Sequence, residues 1–432
     1  VKTRYGLLYS SMLLIGTSYS ASIYASGIFI DTQTASGVGY AFAGSTALAE
    51  NASAIVYNPA TMTALKQGHH ISGSATYVVA ETEFQSHNTS PISPIVPLGN
   101  TTETLEREAA IPSVQYVFNS ADRYAFGFGI SPMYGNQGEW SNQFIGRYQG
   151  LKTEVTGINA NASLGYQFSP NLSVGIGLNY LDFDATLSRN VAPIINTNST
   201  PPMYLTDAQG ELAGDGDGWA VNLGLLWRPT NQLDVGFNYR SETELELDGQ
   251  LKVSSPQGIR SIPAEMEISM PQSASLGFAY KLSPTWTALG ELSWYDWSVL
   301  PSFSAVSKQD GSMVYEETLN FEDGLKASLG AMYQLNPTTQ LRFGTAYDRS
   351  VVTSSSDRTV RFPDADRIWL SIGAGFQLND QLSLDLGYAH VFSNQATIES
   401  PTIISGNPTM QNLQGTFDTD ADMFSIQMNY HF

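Results

Sequence analysis

The 432-residue chain has no cysteine, five histidines, and half as many basic as acidic side chains, 20 against 40. Each shortage excludes something. Without cysteine there is no disulfide framework, and an exported chain that closes itself by strand pairing needs none. His69, His70, His87, His390 and His431 stand beside no nucleophile motif, so the sequence offers no hydrolase constellation, and no motif implies a cofactor or metal. The formal charge is -20, and -22 without Lys2 and Arg4. That balance argues against nucleic-acid partners and attracts no anions in general, so any anion must be held by locally placed basic groups. No segment offers the roughly 18 consecutive apolar residues of a membrane helix. The mean hydropathy of -0.14 would suit a soluble protein, but a β-barrel hides from such averages because half of each strand is polar.

What is present is a period of two. From Phe424 onward the chain alternates, with Phe424, Ile426, Met428, Tyr430 and Phe432 on one face and Ser425, Gln427, Asn429 and His431 on the other. This is a strand with a greasy side and a wet side, ending on an aromatic, as the closing strand of an outer-membrane barrel does. Tyr430 and Phe432 are read as its signal to the barrel-assembly machinery. Similar runs fall at 172–180, 233–239 and 368–376, where Gly, Ser, Asn and Asp alternate with apolar residues and suit a crowded or polar lumen. Six tight turn-rich connections, at 120–123, 169–171, 229–232, 283–285, 336–338 and 379–380, alternate with long polar ones at 85–108, 135–150, 188–215, 250–269, 301–320, 350–363 and 396–418. Short turns on one side and long loops on the other predict an antiparallel transmembrane barrel of about 14 strands with both termini periplasmic. A soluble sandwich would not predict that rhythm.

Two N-terminal segments stand apart. Lys2 and Arg4, an apolar stretch from Leu7 to Ile15 and small residues up to Ala25 read as a secretory signal peptide over 1–25. Residues 26–67 are alanine-rich without a sustained period of two, and predict short helices turning at Asn58-Pro59. Such a segment is expected to fold inside the barrel of 68–432 as a plug, with a periplasmic extension as the alternative.

The motifs Ser36-Gly-Val-Gly-Tyr-Ala-Phe-Ala-Gly44, Asn58-Pro-Ala60, Gly146-Arg-Tyr148, Tyr239-Arg-Ser241, Trp294-Tyr-Asp-Trp-Ser298, Tyr347-Asp-Arg-Ser350 and Pro363 to Trp369 resemble, in order, those of the FadL family of outer-membrane transporters for long-chain fatty acids and other hydrophobic compounds. The resemblance implies a monomeric 14-stranded barrel in the outer membrane of a Gram-negative bacterium, among its lipids and lipopolysaccharide. It also implies a hatch marked by Ser36, Gly37, Gly39, Gly44, Asn58, Pro59 and Ala60, and a lateral exit at an inward kink of the third strand. Here Gly129, Ser131 and Pro132 occupy that place, and proline removes a ladder hydrogen bond. Ile28 and Phe29 fall where the family sets apolar hatch residues against ligand.

Strand parity turns Asp234, Arg240, Glu291, Lys326, Arg342, Arg367 and Asp385 inward, where they are expected to pair and clamp the hatch. A minority would hold a ligand carboxylate, with Lys326 and Arg189 the candidates. The family often shows Phe-Lys-Asp where this chain has Phe321-Glu-Asp323; Glu322, read as inward, weakens a carboxylate clamp and leaves room for neutral or aromatic hydrocarbons of the kind TodX-type relatives carry. The functional expectation is passive uptake of fatty acids, with hydrocarbons, a porin or a structural barrel as alternatives. An enzyme and TonB-linked import are disfavoured, the latter because the plug is too short.

Overall fold

The computed structural model describes residues 27–120, 122–404 and 407–432; the expected signal peptide lies outside these residues. The strands are, in chain order, β1 Gly68–Ser86, β2 Thr102–Asn119, β3 Tyr124–Glu139, β4 Lys152–Ser169, β5 Leu172–Asn196, β6 Met203–Thr230 and β7 Leu233–Arg240. Next come β8 Thr243–Ser255, β9 Gly258–Met270, β10 Ser273–Lys281, β11 Trp286–Tyr295, β12 Ser302–Ser307 and β13 Met313–Thr318. The last are β14 Gly324–Asn336, β15 Thr339–Arg349, β16 Arg367–Gln377, β17 Leu382–Ser393, β18 Ala396–Ile404 and β19 Asn407–His431.

Fourteen of these close an antiparallel barrel. β7 pairs with β10, β11 with β14 and β17 with β19, so that β8, β9, β12, β13 and β18 are extra strands built from the long connections. The seam is β1 against β19, in register from His70 and His431 to Ser86 and Gly415. Phe432 exchanges backbone hydrogen bonds with His69 at 2.8 and 2.9 Å, and its ring stacks on the His69 imidazole at 5.1 Å. Closure removes the edges that an open sheet would leave to pair with another chain. Outward residues such as Phe128, Ile130, Leu276, Leu292 and Leu329 are apolar and exposed, whereas their neighbours in the chain are buried or half-buried, as a lipid-facing wall requires.

The long connections expected at 188–215, 250–269, 301–320 and 396–418 are largely paired. β5 and β6 rise together until Asn196 and Met203, β8 pairs with the upper part of β6, and the sheet continues through β9, β12 and β13. Its inner face joins a large apolar cluster that includes Met133, Phe183, Leu212, Leu245, Met266, Trp297 and Phe321.

Residues 27–67 sit within the barrel as a helix, α1, Ala35–Gly39, and two short 3₁₀ helices, Ala52–Val56 and Pro59–Ala64. Each has a side-chain cap: Thr34 Oγ1 accepts from Gly37 N, Asn51 Oδ1 from Ser53 N, and Asn58 Oδ1 from Ala60 N. The hatch touches the wall where the wall has glycine. A Cβ on Gly236 would lie 1.9 Å from the Thr46 carbonyl oxygen, and one on Gly344 2.1 Å from Tyr40 C.

Candidate functional site

The wall is interrupted between β2 and β3. Their pairing runs from Asn119 and Ala125 to Val114 and Ile130 and stops there. Both strands go on: β2 stays paired to β1 as far as Thr102, and β3 to β4 as far as Glu139. Continuing the β2–β3 register by two residues would set Pro112 opposite Pro132, two residues that lack the amide N–H a ladder needs. β3 changes course at the same place. Tyr124, Phe126, Phe128 and Ile130 are exposed on the lipid face, but all six residues from Ser131 to Asn136 are buried. Met133 is the extra residue of a register shift against β4, between Pro132 and Tyr134, and such a bulge bends its strand.

The hatch pairs with the bent strand. Ile30 N donates to Met133 O at 2.8 Å, Gly135 N donates to Ile28 O at 2.9 Å, and Gln33 Nε2 donates to Pro132 O at 3.1 Å. The ring of Phe29 lies 5.7 Å from Tyr134 and 5.0 Å from Tyr295. Ile28 and Phe29 therefore lie against the kink that contains Gly129, Ser131 and Pro132. Lower down, Gly127 faces Ile55 and Met62 of the hatch.

Several lumen charges hold the hatch. Lys326 Nζ forms a buried ion pair with Asp31 and lies 3.9 Å from the Trp369 ring centroid. Arg342 pairs with hatch Glu50 at 3.2 Å and with Asp385 at 2.6 Å, and Asp385 also accepts from Asn429. Glu291 accepts from the Thr46 backbone at 3.0 Å and its hydroxyl at 3.1 Å. Asn58, beside Pro59 and Ala60, donates to Thr46 O and to Leu225 O of β6, stitching hatch to wall. Ala35 N, at the first residue of α1, donates to Gln427 of β19. Arg367 is placed differently, against Asp348 of β15 and Asp364 of the connection between β15 and β16. Asp234 pairs with Arg228 near the turn. Glu322, expected inward, is instead exposed and paired with Arg349 at 2.9 Å, because residues 319–323 are not strand and do not carry the parity of β14.

Between hatch and wall lies a cavity of about 60 Å³. Phe29, Met133 and Tyr295 form its apolar side; Ser273, Ser275, Ser293 and Ser328 keep it open by being small. Lys326, Asp31, Glu291 and Arg240 also line it. A second cleft, of about 570 Å³, opens among the outer loops. There the Arg189 guanidinium lies 4.4 Å from the Tyr315 ring centroid, with Tyr148, Met313 and Ile403 alongside. Burial pushes the Tyr315 hydroxyl up to about 12, so it stays protonated and donates to Glu317 at 2.6 Å. Arg189 and Lys326, the two cations expected to hold a carboxylate, thus belong to different chambers. Pro112, Met133, Gln33, Asp31, Thr46 and Glu50 were not singled out from sequence; of these only Pro112, a proline inside an alternating run, carried a local signal.

A family model described as outer membrane protein transport protein (OMPP1/FadL/TodX) matches residues 16–432. The chain is 26% identical to the 47 kDa outer membrane protein of Pasteurella multocida, over 99% of this chain and 98% of that one. It is 24% identical to a long-chain fatty acid transport protein of Escherichia coli, covering 86% and 88%. Among solved structures, a Pseudomonas aeruginosa FadL homologue superposes with a TM-score of 0.85 at 20% identity, covering 94% of this chain and all of that one. The Pseudomonas putida toluene transporter TodX superposes with a TM-score of 0.67 at 15% identity, covering 95% and 99%.

Proposed function

We propose, from the premise that this chain belongs to the outer membrane protein transport family of OMPP1, FadL and TodX, that it is a passive uptake channel for long-chain fatty acids. The family and the barrel make it an outer-membrane transporter of hydrophobic compounds; the ligand and the route are the proposal. Each acyl methylene leaving water contributes about 0.8 kcal/mol, so the substrate needs apolar surface at every stage and a water-filled pore is a poor road. The outer cleft at Arg189 and Tyr315 captures the ligand. The apolar cluster around Met133 and Trp297 carries it inward to Ile28 and Phe29. Hatch rearrangement then releases it sideways into the bilayer between β2 and β3. The barrel works as a monomer and assembles through its terminal strand, with Tyr430 and Phe432 as the signal to the assembly machinery. The strands below the outer sheet are embedded in outer-membrane lipid and lipopolysaccharide.

The observation that carries this reading is the end of β2–β3 pairing at Val114 and Ile130 while both strands continue. Deleting Met133 tests it, because loss of the extra residue restores the regular β3–β4 register. Palmitate entry into liposomes containing the deletion variant is expected to fall at least tenfold while the barrel still folds; undiminished entry would sink the lateral route. Uptake of neutral or aromatic hydrocarbons by the same path is the second reading. It is supported by Glu316, Glu317 and Asp357 around the outer cleft. A passive porin would conduct ions in planar bilayers, which a plugged barrel does not.

A further inference from the structure

Among the buried basic side chains that line the lumen, Arg240 stands out by its lack of company. Lys326 has Asp31, and Arg342 has Glu50 and Asp385. Arg240, 6% exposed, has no hydrogen bond or ion pair among the described residues, and its Nη1 is fully enclosed without a partner. Parity explains why it points inward, and register explains what surrounds it. Arg240 stands opposite Asn222 of β6 and Ser273 of β10, and Ser273 stands opposite Tyr295 of β11. All three neighbours are neutral.

A buried guanidinium without an anion is costly, because desolvation of the charge is not offset by a partner. Such a group persists where an anion arrives from outside. Arg240 lines the inner cavity with Phe29, Met133 and Tyr295, so an anion seated on it would have apolar surface beside it. Of the carboxylates lining the same cavity, Glu291 accepts from Thr46 and Asp31 pairs through Oδ2 with Lys326, its Oδ1 having no hydrogen-bond partner; among the described residues neither forms an ion pair with Arg240. The guanidinium fork matches a carboxylate with two parallel N–H donors. About 60 Å³ accommodates a head group and not a chain, so the hydrocarbon must extend from the cavity along the neighbouring apolar side chains.

We propose that Arg240 is the inner head-group site of this transporter, binding the carboxylate of an anionic amphiphile and thereby selecting fatty carboxylates over neutral hydrocarbons of equal length. This rests on the uptake reading above and deepens it. Arg189, in the outer cleft, serves capture and not this selection.

The test compares palmitate with 1-hexadecanol, which has the same chain length and no charge, by direct binding to purified protein in a detergent that does not compete. Wild type is expected to bind palmitate at least tenfold more tightly than hexadecanol. Arg240→Met is expected to erase that difference by weakening palmitate alone, and Arg240→Lys to restore most of it. Equal affinities for the two ligands in wild type would overturn the proposal without any variant, so a poorly folding Arg240→Met does not shelter it. Retained palmitate preference in a folded Arg240→Met would overturn it as well. In either case, binding of both ligands leaves the uptake reading standing, whereas binding of neither overturns both.

Discussion

Pro112 of β2 and Pro132 of β3 fall opposite each other by the register that pairs Val114 with Ile130, two residues beyond the last bonded pair. Two residues without an amide N–H thus fall just beyond the point where the β2–β3 ladder stops. Restoring the donors is expected to restore the wall. The double variant Pro112→Ala/Pro132→Ala should slow palmitate entry into liposomes several-fold, each single variant less. A double variant as fast as wild type would show that the bend at Met133, and not the prolines, keeps the strands apart.

Lys326 of the wall and Asp31 of the hatch form a buried ion pair, and hatch retention is expected to depend on it. Lys326→Met leaves a buried carboxylate without its cation, a change of about 3–5 kcal/mol. Single-channel recordings should then show ion conductance that wild type lacks, as the hatch leaves its seat for part of the time. Adding Asp31→Asn removes the stranded charge and should quiet the channel again; a double variant as leaky as the single one would refute the pairing argument.

The glycines under the hatch make a steric prediction. A side chain at Gly236 would collide with the Thr46 carbonyl, and one at Gly344 with Tyr40. Gly236→Val and Gly344→Val should each fold into a barrel with the usual heat-modifiable gel mobility, yet expose the hatch to added protease. Gly258→Ala serves as the control, since its Cβ would meet nothing within 4 Å, although its positive φ of 130° makes a small local cost of about 1 kcal/mol expected there too.

Arg189→Ala addresses the outer cleft. It removes the cation lying over Tyr315, and the expected result is slower capture of palmitate with unchanged final preference for palmitate over hexadecanol. Loss of that preference in Arg189→Ala would move the selecting group from the lumen to the surface.

Much of the barrel was legible because a lipid-facing wall imposes a strict period of two, and that same period turned Arg240, Glu291, Lys326, Arg342, Arg367 and Asp385 inward. Their partners were not legible. Which of them meets Asp31, Glu50 or Thr46 depends on how residues 27–67 dock, and docking is set by contacts hundreds of residues apart in the chain. Glu322 shows the limit of parity from the other side: it was counted along a strand that begins only at Gly324. The outer strands β8, β9, β12, β13 and β18 escaped notice because they have solvent or protein on both faces, and polar alternation is a weak signal without a lipid boundary to enforce it. Pro132 was visible as a breaker, but Pro112 lies in a run that otherwise alternates well, and its meaning appears only when β3 is laid beside it.

The segment Ile28–Ile30 bonds to β3 on an edge that β4 does not occupy. The protein therefore complements its own sheet, lending a short piece of backbone to the stretch of β3 that β2 has abandoned. In a barrel otherwise sealed all the way round, this is a place where bare backbone groups would invite a foreign strand, and the hatch keeps it occupied. On the proposed lateral route, opening is an unzipping, with the Met133 and Gly135 bonds broken in turn and re-formed behind each departing ligand. On that route, anything that delays re-annealing prolongs the time in which another extended chain can take that edge, so each opening for a ligand is also an exposure to strand capture.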